Sequence, residues 1–364
     1  MNRAVIVKAK RTPIGKMGGI FRDIQSHELA APLLSHLANG LVQKIDDIIL
    51  GNIVGPGGNI SRIAALEAGF PHSVTGMTID RQCSAGLEAI RMACYLVQGG
   101  AGHCYIAGGV ESTSTSPFQS RAKFAPDKIG DPDMGVAAEN VAEKYSISRV
   151  LQDEYALLSY KRSWDSYNKG FFKQEIIPVI DIHEDEAFFK KRNLEDLLPR
   201  AKPIFKKNGT ITAANSCGIH DGASAVLIME ENIAVNNGLQ PILRFMDSEV
   251  SGVHPNYPGE APIPAILAIL KRNNLSISEI DLFEINEAFS SKIVACSKEL
   301  SIPYEKLNVC GGALTLGHPY GASGSMVITR LFHQVQRRKD LKYVLAAIGS
   351  GGGIGVAVLL EVVI

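Results

Sequence analysis

A cysteine, a histidine and an asparagine stand in settings where each could take part in nucleophilic chemistry. Cys83, in TIDRQCSAGLEAIRMACYLV, precedes apolar residues spaced by three and four, which predicts a helix that starts beside it. The unpaired N–H groups and dipole of a helix start favour a negative charge, so we expect this thiol to ionise more readily than a free cysteine. A buried structural cysteine is the alternative.

The other two residues offer what a thiolate nucleophile needs, a base and a polar group for the developing negative charge. His318 lies in GHP between glycine-rich turns, and Pro319 restricts its backbone to extended conformations. We interpret His318 as the base. Asn286, in NEAF, follows a predicted buried strand, where sites of α/β proteins collect. Structural or turn-forming roles are the alternatives for both residues.

The elements around these residues alternate between strand and helix, which predicts parallel sheets covered by helices. Predicted strands cover 4–7, 48–50, 105–107 and 225–229. The block 112–208 has little strand signal and two predicted helices, and we interpret it as an insertion that covers a site. Its late basic cluster indicates a solvated face or, alternatively, contact with a phosphate-bearing ligand; the cluster consists of Lys190, Lys191, Arg192, Lys206 and Lys207.

Three ordered segments of the first half recur in the second. KIDDIILGN resembles EIDLFEINE, CSAGLEAIRMACYLVQ resembles GASGSMVITRLFHQVQ, and CYIAGG resembles KYVLAA, the last two at one offset of 238 residues. This repetition predicts a duplicated α/β unit with a cleft at the junction of its halves. The expected domains are 1–111 plus 209–235, the inserted block 112–208, and 236–364.

Composition narrows the functional classes. The 364 residues are 46% hydrophobic and 20% charged, and 37 Lys and Arg balance 37 Asp and Glu, so no basic field indicates nucleic acid or a membrane surface. Six cysteines without a CxxC pair fit neither a disulfide framework nor a zinc site. No apolar run indicates a signal peptide or a membrane span. These features predict a cytoplasmic enzyme.

Six motifs occur in the order found in thiolases: CSAGLEAI, AGGVES, TAANSCGIHDGASAV, INEAF, GGALTLGHPYGASGS and GSGGGIG. They span nearly the whole chain, which resembles the acetyl-CoA acetyltransferase and 3-ketoacyl-CoA thiolase family of lipid and fatty acid metabolism. The resemblance implies duplicated α/β halves in a five-layered α-β-α-β-α fold with an inserted loop domain over the coenzyme A site. It also implies a homodimer or homotetramer, coenzyme A as co-substrate, and neither a tightly bound cofactor nor a metal.

The resemblance assigns roles by motif. Cys83 resembles the nucleophile that carries the acyl group, His318 the histidine that activates it, and Asn286 the residue that orients a water in the first oxyanion hole. The N–H groups of Cys83 and Gly351 resemble the second oxyanion hole. The remaining matched positions are expected to contact the acyl group or coenzyme A, and they are Met134, Ala213, Cys217, Ala288 and Phe289.

One departure affects the chemistry. Thiolases usually place a second cysteine where this chain has Gly349, and a branch of the family places it within NEAF, where this chain has Ala288. Cys310 is the nearest substitute in sequence, although a packing role is the simpler interpretation. Without a second acid/base we expect the half-reactions to survive, condensation of two acetyl-CoA to be slow, and Gly349→Cys to restore it if the backbone tolerates a side chain.

Three functions remain open from the sequence. The first is a thiolase-type acyltransferase that acts on acetyl-CoA or short 3-ketoacyl-CoA. The second is a catalytically weakened homologue that binds acyl-CoA, motivated by Gly349. The third is a decarboxylating ketoacyl synthase, which needs no second cysteine; the thiolase-like motif order argues against it.

Overall fold

The computed structural model describes residues 2–116 and 121–364, in which strands and helices alternate along two similar halves. The first half contains β1 Ala4–Arg11, β2 Gly15–Lys16, α1 Ser26–Ala38, β3 Asp47–Gly51, α2 Ile60–Glu67, β4 Thr75–Ile79, α3 Ala85–Gln98 and β5 Cys104–Glu111. The block after it contains α4 Met134–Lys144, α5 Arg149–Asn168 and α6 Leu194–Leu197. The rest contains β6 His220–Glu230, α7 Glu231–Asn236, β7 Leu243–Gly252, α8 Pro262–Arg272, β8 Leu282–Ile285, α9 Ser290–Leu300, α10 Ala313–Leu316, α11 Tyr320–Arg337, β9 Tyr343–Ser350 and β10 Ile354–Val362.

The strand order shows the duplication predicted from the sequence repeat. Within the described residues the main sheet runs β4-β3-β5-β6-β1-β7-β10-β9-β8, and β2 pairs with β6. The first-half order β3-β5-β6-β1 matches the second-half order β8-β9-β10-β7 read from the opposite edge. In both halves the first two strands of these orders are parallel, and the last two are antiparallel to their neighbours. Within the described residues, two strand pairings join the half-sheets, Val5 with Arg244 and Ile6 with Leu243.

Helices cover both faces of each half-sheet and produce five layers. α1 and α2 pack outside the first half through a buried apolar cluster that includes Leu33, Leu37 and Ile48. α8 and α9 cover the outside of the second half in the same way. α3 and α11 lie together in the middle, where Leu87 and Leu331 belong to one shared core. The arrangement is therefore the five-layered fold of duplicated α/β halves that the family resemblance implies.

A matched glycine pair allows the two central helices to approach each other. A Cβ added to Gly86 of α3 would lie 2.6 Å from the Gly321 carbonyl oxygen, and one added to Gly324 of α11 would lie 2.4 Å from the Leu87 nitrogen. Real side chains do not tolerate such contacts with backbone atoms, so both positions require glycine. These are the glycines aligned by the 238-residue repeat, which means that the repeat marks the crossing point of the central helices.

Most local predictions agree with the structure, with three differences. Ser148 caps α5 as expected, accepting a hydrogen bond from the Leu151 N–H. Ser26 is not the cap of α1, because Gln25 occupies that position and forms a capping box with Glu28. Pro32 lies inside α1 without shifting its start. The strand predicted at 225–229 is longer in the structure, where β6 runs from His220 to Glu230 and is buried along its whole length.

The sequence EIIPVI, residues 175–180, predicts a possible edge strand, but in the structure this segment forms only isolated bridges. No helix among the described residues is long and apolar enough to cross a bilayer.

Candidate active site

Cys83 lies in a turn just before α3, next to the turn that follows β9. Ser84 is the N-cap of α3, and its hydroxyl is hydrogen-bonded to that of Ser350. The pairing holds the two turns together. The backbone N–H groups of Cys83 itself and of Gly351 both act to lower the pKa of the Cys83 thiol.

The expectation that Cys83 ionises readily is wrong for the free protein. Burial raises the pKa of Cys83 to about 11, although Lys292 and the two N–H groups act to lower it. The reason is positional: α3 begins only at Ala85, and the surrounding turns enclose the thiol. Loss of hydration therefore outweighs the helix start, and the thiol needs a base at the moment of attack.

His318 can supply that base because its hydrogen bonds fix the tautomer. Its Nδ1 lies 2.5 Å from the Ser323 hydroxyl oxygen, and that hydroxyl donates its proton to the Pro319 carbonyl at 2.8 Å. Ser323 must therefore accept from Nδ1–H, which leaves the lone pair on Nε2. Nε2 is buried and has no hydrogen-bond partner among the described residues.

The charge state of His318 suits the same role. Burial, together with the positive charge of Lys292, lowers the pKa of His318 to about 3. The imidazole is therefore neutral at physiological pH and able to accept a proton. Cys83 and His318 are therefore both neutral before substrate binds, in contrast to the thiolate–imidazolium pair of cysteines that ionise beforehand.

The loop 212–219 links the predicted motifs through its backbone. The Cys217 N–H donates to the Ala288 carbonyl at 3.0 Å, and the Ser290 N–H donates to the Asn215 carbonyl at 3.0 Å. On its other side, Ile219 forms a parallel bridge with His318. The loop therefore lies between NEAF and GHP and places Cys217 beside both.

A cavity of about 500 Å³ brings most of the predicted site residues together. Cys83 and His318 line it with four of the five expected substrate contacts, which are Met134, Cys217, Ala288 and Phe289. The block 112–208 contributes further walls, including Arg121, Phe124 and Phe205. Residues of the insertion therefore form part of the cavity wall, and its role as a separate loop domain over the site stays a prediction.

Three predicted residues do not line this cavity. Asn286 lies in an adjoining recess with Ser323, the hydrogen-bond partner of His318, and its side-chain nitrogen is buried without a partner among the described residues. Gly351 contributes its N–H to Cys83 from outside the cavity wall. Ala213 is exposed, so nothing in the geometry links it to the Cys83 cavity.

Two further expectations concern residues away from the cavity. Cys310 packs in a separate buried cluster with Phe172, Phe188 and Leu316. This position excludes Cys310 as the substitute for the missing cysteine and agrees with its packing interpretation. The basic cluster of the insertion is largely exposed and does not line the cavity either.

Sequence reasoning missed two charged residues near the cysteine. Glu111, at the end of β5, is fully buried, and its carboxylate accepts hydrogen bonds from the N–H groups of Ile53, Val54 and Gly321. Lys292, in the first turn of α9, is 3% exposed. The sequence feature that could have identified Lys292 was a lysine three residues after Phe289 of NEAF. It lies in a helix start that the structure buries on all sides.

Comparison with known proteins agrees with this geometry. The model of the thiolase N-terminal domain matches residues 4–232, and that of the C-terminal domain matches residues 239–362. The chain is 57% identical over 360 residues to "Putative acetyl-CoA C-acetyltransferase YhfS" of Bacillus subtilis, covering 99% of both chains. It is 46% identical over 381 residues to VraB of Staphylococcus aureus, which bears the same designation, again covering 99% of both.

Solved structures show the same relationship. The crystal structure of the Bacillus anthracis acetyl-CoA acetyltransferase superposes with a TM-score of 0.93 at 37% identity, covering 100% of this chain and 99% of that one. Human mitochondrial 3-ketoacyl-CoA thiolase superposes with a TM-score of 0.92 at 32% identity and the same coverage. Duplicated halves, a cysteine and a histidine on one covered cavity, and matches along both halves lead to one conclusion: this chain belongs to the thiolase family.

Proposed function

We propose that this protein is a thiolase-type acyltransferase that moves an acetyl or short acyl group between Cys83 and coenzyme A. The observation that carries the proposal is that the Cys83 thiol and His318, whose Nε2 has no partner among the described residues, line one cavity. The printed names of relatives and structural neighbours, acetyl-CoA acetyltransferase and 3-ketoacyl-CoA thiolase, support the same reaction class.

The first half-reaction acylates the enzyme. His318 Nε2 takes the Cys83 proton as the sulfur attacks the thioester carbonyl, since a thiol with a pKa of about 11 is not ionised beforehand. The carbonyl oxygen gains negative charge in this step. Preorganised donors stabilise such a charge, and we assign this role to Asn286 for one acyl position and to the N–H groups of Cys83 and Gly351 for the other.

The second half-reaction transfers the acyl group. Coenzyme A attacks acyl-Cys83 to give acyl-CoA, or the carbanion of acetyl-CoA attacks it to give acetoacetyl-CoA. Met134, Ala288 and Phe289 provide apolar contacts for the acyl group, and Cys217 lies where the pantetheine chain would enter. Coenzyme A thus acts as a co-substrate that binds and is released in each catalytic cycle.

A weakened homologue that only binds acyl-CoA is the second candidate, and Gly349 is the observation that favours it. It predicts acyl-CoA binding without turnover. A decarboxylating synthase would instead condense malonyl-CoA in preference to acetyl-CoA, so a comparison of the two substrates separates it from the first proposal.

Mass spectrometry of the intact protein after incubation with acetyl-CoA tests the acyl transfer. We expect one acetyl group, located on Cys83 by peptide analysis and released by free coenzyme A. Cys217→Ser is the matched control, because it alters a cysteine on the same cavity and should leave the label in place. A label found mainly on Cys217, or no label at all, would refute the proposal.

The family expectation of a homodimer or homotetramer is carried forward as part of the proposal. Light scattering coupled to size-exclusion chromatography would measure it, and a monomer at micromolar concentration would contradict it.

A further inference from the structure

Lys292 is a buried cation without a charged partner. It lies in the first turn of α9, three residues after Phe289 of NEAF, and is 3% exposed. Among the described residues it forms no salt bridge, and its one hydrogen bond is a long one of 3.5 Å to the Gly349 carbonyl. A buried ammonium costs free energy unless it is paired, and packing alone does not account for a lysine at this position.

The amine adjoins the reaction cavity. Lys292 lines a small recess whose walls include Met134, Ala288, Phe289 and Gly349. The same four residues also line the cavity of Cys83 and His318. The recess therefore shares a wall with that cavity, and Lys292 lies on the recess side of this wall.

Burial and the neighbouring thiols act on the pKa of the Lys292 amine in opposite directions. Burial lowers the pKa of Lys292 below its ordinary value, and three thiols act in the opposite direction, Cys296, Cys83 and Cys217. Five titratable groups surround the amine: Cys296 on α9, Cys83 in the turn before α3, Cys217 in the loop 212–219, His318 in the GHP loop, and Glu260 in the segment before α8. Glu260 is hydrogen-bonded to Lys144 and Tyr145 and so does not neutralise Lys292.

Gly349 could not carry the usual cysteine in this backbone. A Cβ added there would lie 2.6 Å from the Pro258 carbonyl oxygen and 3.0 Å from the Pro262 Cδ. The neighbouring Gly259 in turn leaves room for the lysine stem, since its own Cβ would lie 3.4 Å from the Lys292 Cβ. The segment around Pro258 thus closes the position of the missing cysteine and packs against Lys292.

We propose that Lys292 is the acid/base that moves the second proton of the reaction. Relatives use a cysteine at position 349 for this step, whereas in this chain the Lys292 amine lies at the Gly349 carbonyl. The inference rests on the proposed acyl transfer. It deepens that proposal by assigning the proton that His318 does not handle, the one on the methyl group of acetyl-CoA or on the coenzyme A thiol.

The proton balance closes with Lys292 in this role. When Cys83 attacks acetyl-CoA, the C–S bond to coenzyme A breaks, and the departing thiolate takes a proton from the Lys292 ammonium. The resulting amine removes a methyl proton from a second acetyl-CoA, and the released C–H electron pair forms the new C–C bond to the acetyl carbon on Cys83. The thioester C–S bond then breaks, and the Cys83 sulfur recovers its proton from His318. Thiolysis is the reverse sequence.

Cys217 is the rival for this role, because it is a second thiol on the same cavity. Burial, together with the neighbouring Cys83, raises the pKa of Cys217 to about 12. A neutral amine on a lysine whose pKa is lowered is a stronger candidate base than a thiol that resists ionisation.

Deuterium exchange into the methyl group of acetyl-CoA in D₂O isolates the proposed step. Wild-type protein and Lys292→Met are incubated with acetyl-CoA, and one sample yields both the acetylation of Cys83 and the deuteration of acetyl-CoA by mass spectrometry. We expect Lys292→Met to acetylate Cys83 but to exchange about 10²–10⁴-fold more slowly, the usual contribution of a general base. Lys298→Met, which changes an exposed lysine of the same helix, is the control and should exchange normally, and Cys217→Ser tests the rival base.

The outcomes separate the two proposals. If Lys292→Met exchanged deuterium within fivefold of the wild-type rate, the role of Lys292 would be overturned. The same would follow if exchange were lost in Cys217→Ser alone. Failure of wild type to acetylate Cys83 would refute the acyl transfer itself. If Lys292→Met does not fold, Lys292→Gln replaces it. The wild-type exchange rate should also rise with pH, because the Lys292 ammonium loses its proton at a pH below the ordinary pKa of lysine. An exchange rate that does not change with pH would likewise contradict the proposal.

Discussion

The two halves share one fold but use equivalent strand ends differently. By the 238-residue offset, Glu111 at the end of β5 corresponds to Gly349 near the end of β9. Glu111 is fully enclosed by donors, among them the Asn52 side chain at 3.1 Å and the Gly321 N–H at 3.0 Å. Gly349 has no side chain and faces the cavity, with the Lys292 amine at its carbonyl. One half therefore fills this position with a hydrogen-bonded carboxyl group, and the other leaves it without a side chain.

The central helices show the same division. The turn before α3 carries Cys83, and the loop before α11 carries His318. Glu111 connects the two, because it ends the strand that follows α3 and accepts a hydrogen bond from Gly321 in the first turn of α11. Duplication thus supplies two similar helix starts, and divergence of a few residues gives one the nucleophile and the other the base.

Cys83→Ser should produce the largest loss, because a hydroxyl cannot replace the thiol as nucleophile here. We expect acyl transfer to fall by at least ~10⁴-fold, the scale seen when a covalent nucleophile is removed. Steady-state thiolysis of acetoacetyl-CoA measures the change. Retention of a tenth of wild-type activity would show that the first half does not supply the nucleophile.

His318→Ala should slow both turnover and the alkylation of Cys83 by iodoacetamide near pH 7, by about 10²–10⁴-fold for turnover. In wild type the alkylation rate should keep rising toward pH 10, because burial raises the pKa of Cys83 to about 11. A plateau reached by pH 7 would indicate a preformed thiolate instead.

Asn286→Ala should separate charge stabilisation from base catalysis. We expect turnover to fall by about 10²–10³-fold, as for a lost oxyanion-hole donor, while alkylation of Cys83 stays at the wild-type rate. Equal loss of alkylation in Asn286→Ala and His318→Ala would contradict this division of roles.

Gly349→Cys should destabilise the protein by about 1–3 kcal/mol without accelerating condensation, since the added side chain overpacks against the Pro258 backbone. This replaces the expectation from sequence alone that the substitution restores activity. Urea denaturation and the condensation assay test it together, with Gly252→Cys as control, because a Cβ there meets nothing within 4 Å. Full stability with faster condensation would show that the backbone yields.

Glu111→Gln should have the smallest effect, about 1–3 kcal/mol of stability, because the amide leaves some of the surrounding N–H donors unpaired. Burial raises the folded-state pKa of Glu111 from 4.5 to about 8. Its contribution to stability is therefore greatest below pH 4.5 and declines as pH rises to about 8. Denaturation curves across this range should show that decline in wild type and not in the variant.

The sequence predicts the fold because its duplication is visible in matched glycines and strand patterns. The family motifs locate Cys83 and His318 in the same way, and both line one cavity. Three features depend on contacts that pattern alone does not reveal: the enclosure of Cys83, the steric closure of Gly349 by Pro258, and the burial of Lys292. The domain boundaries at 111, 208 and 235 stay a prediction.

Condensation of two acetyl-CoA by the wild-type protein tests whether the two halves together complete the reaction. The sequence alone predicts a slow rate because position 349 has no side chain, whereas the buried amine of Lys292 changes that expectation. We predict acetoacetyl-CoA formation at a rate ordinary for enzymes, about 1–10³ per second, when the product is drawn off by a coupled reductase. Acetylation of Cys83 without any acetoacetyl-CoA would contradict this account and limit the protein to the acyl-transfer half-reactions.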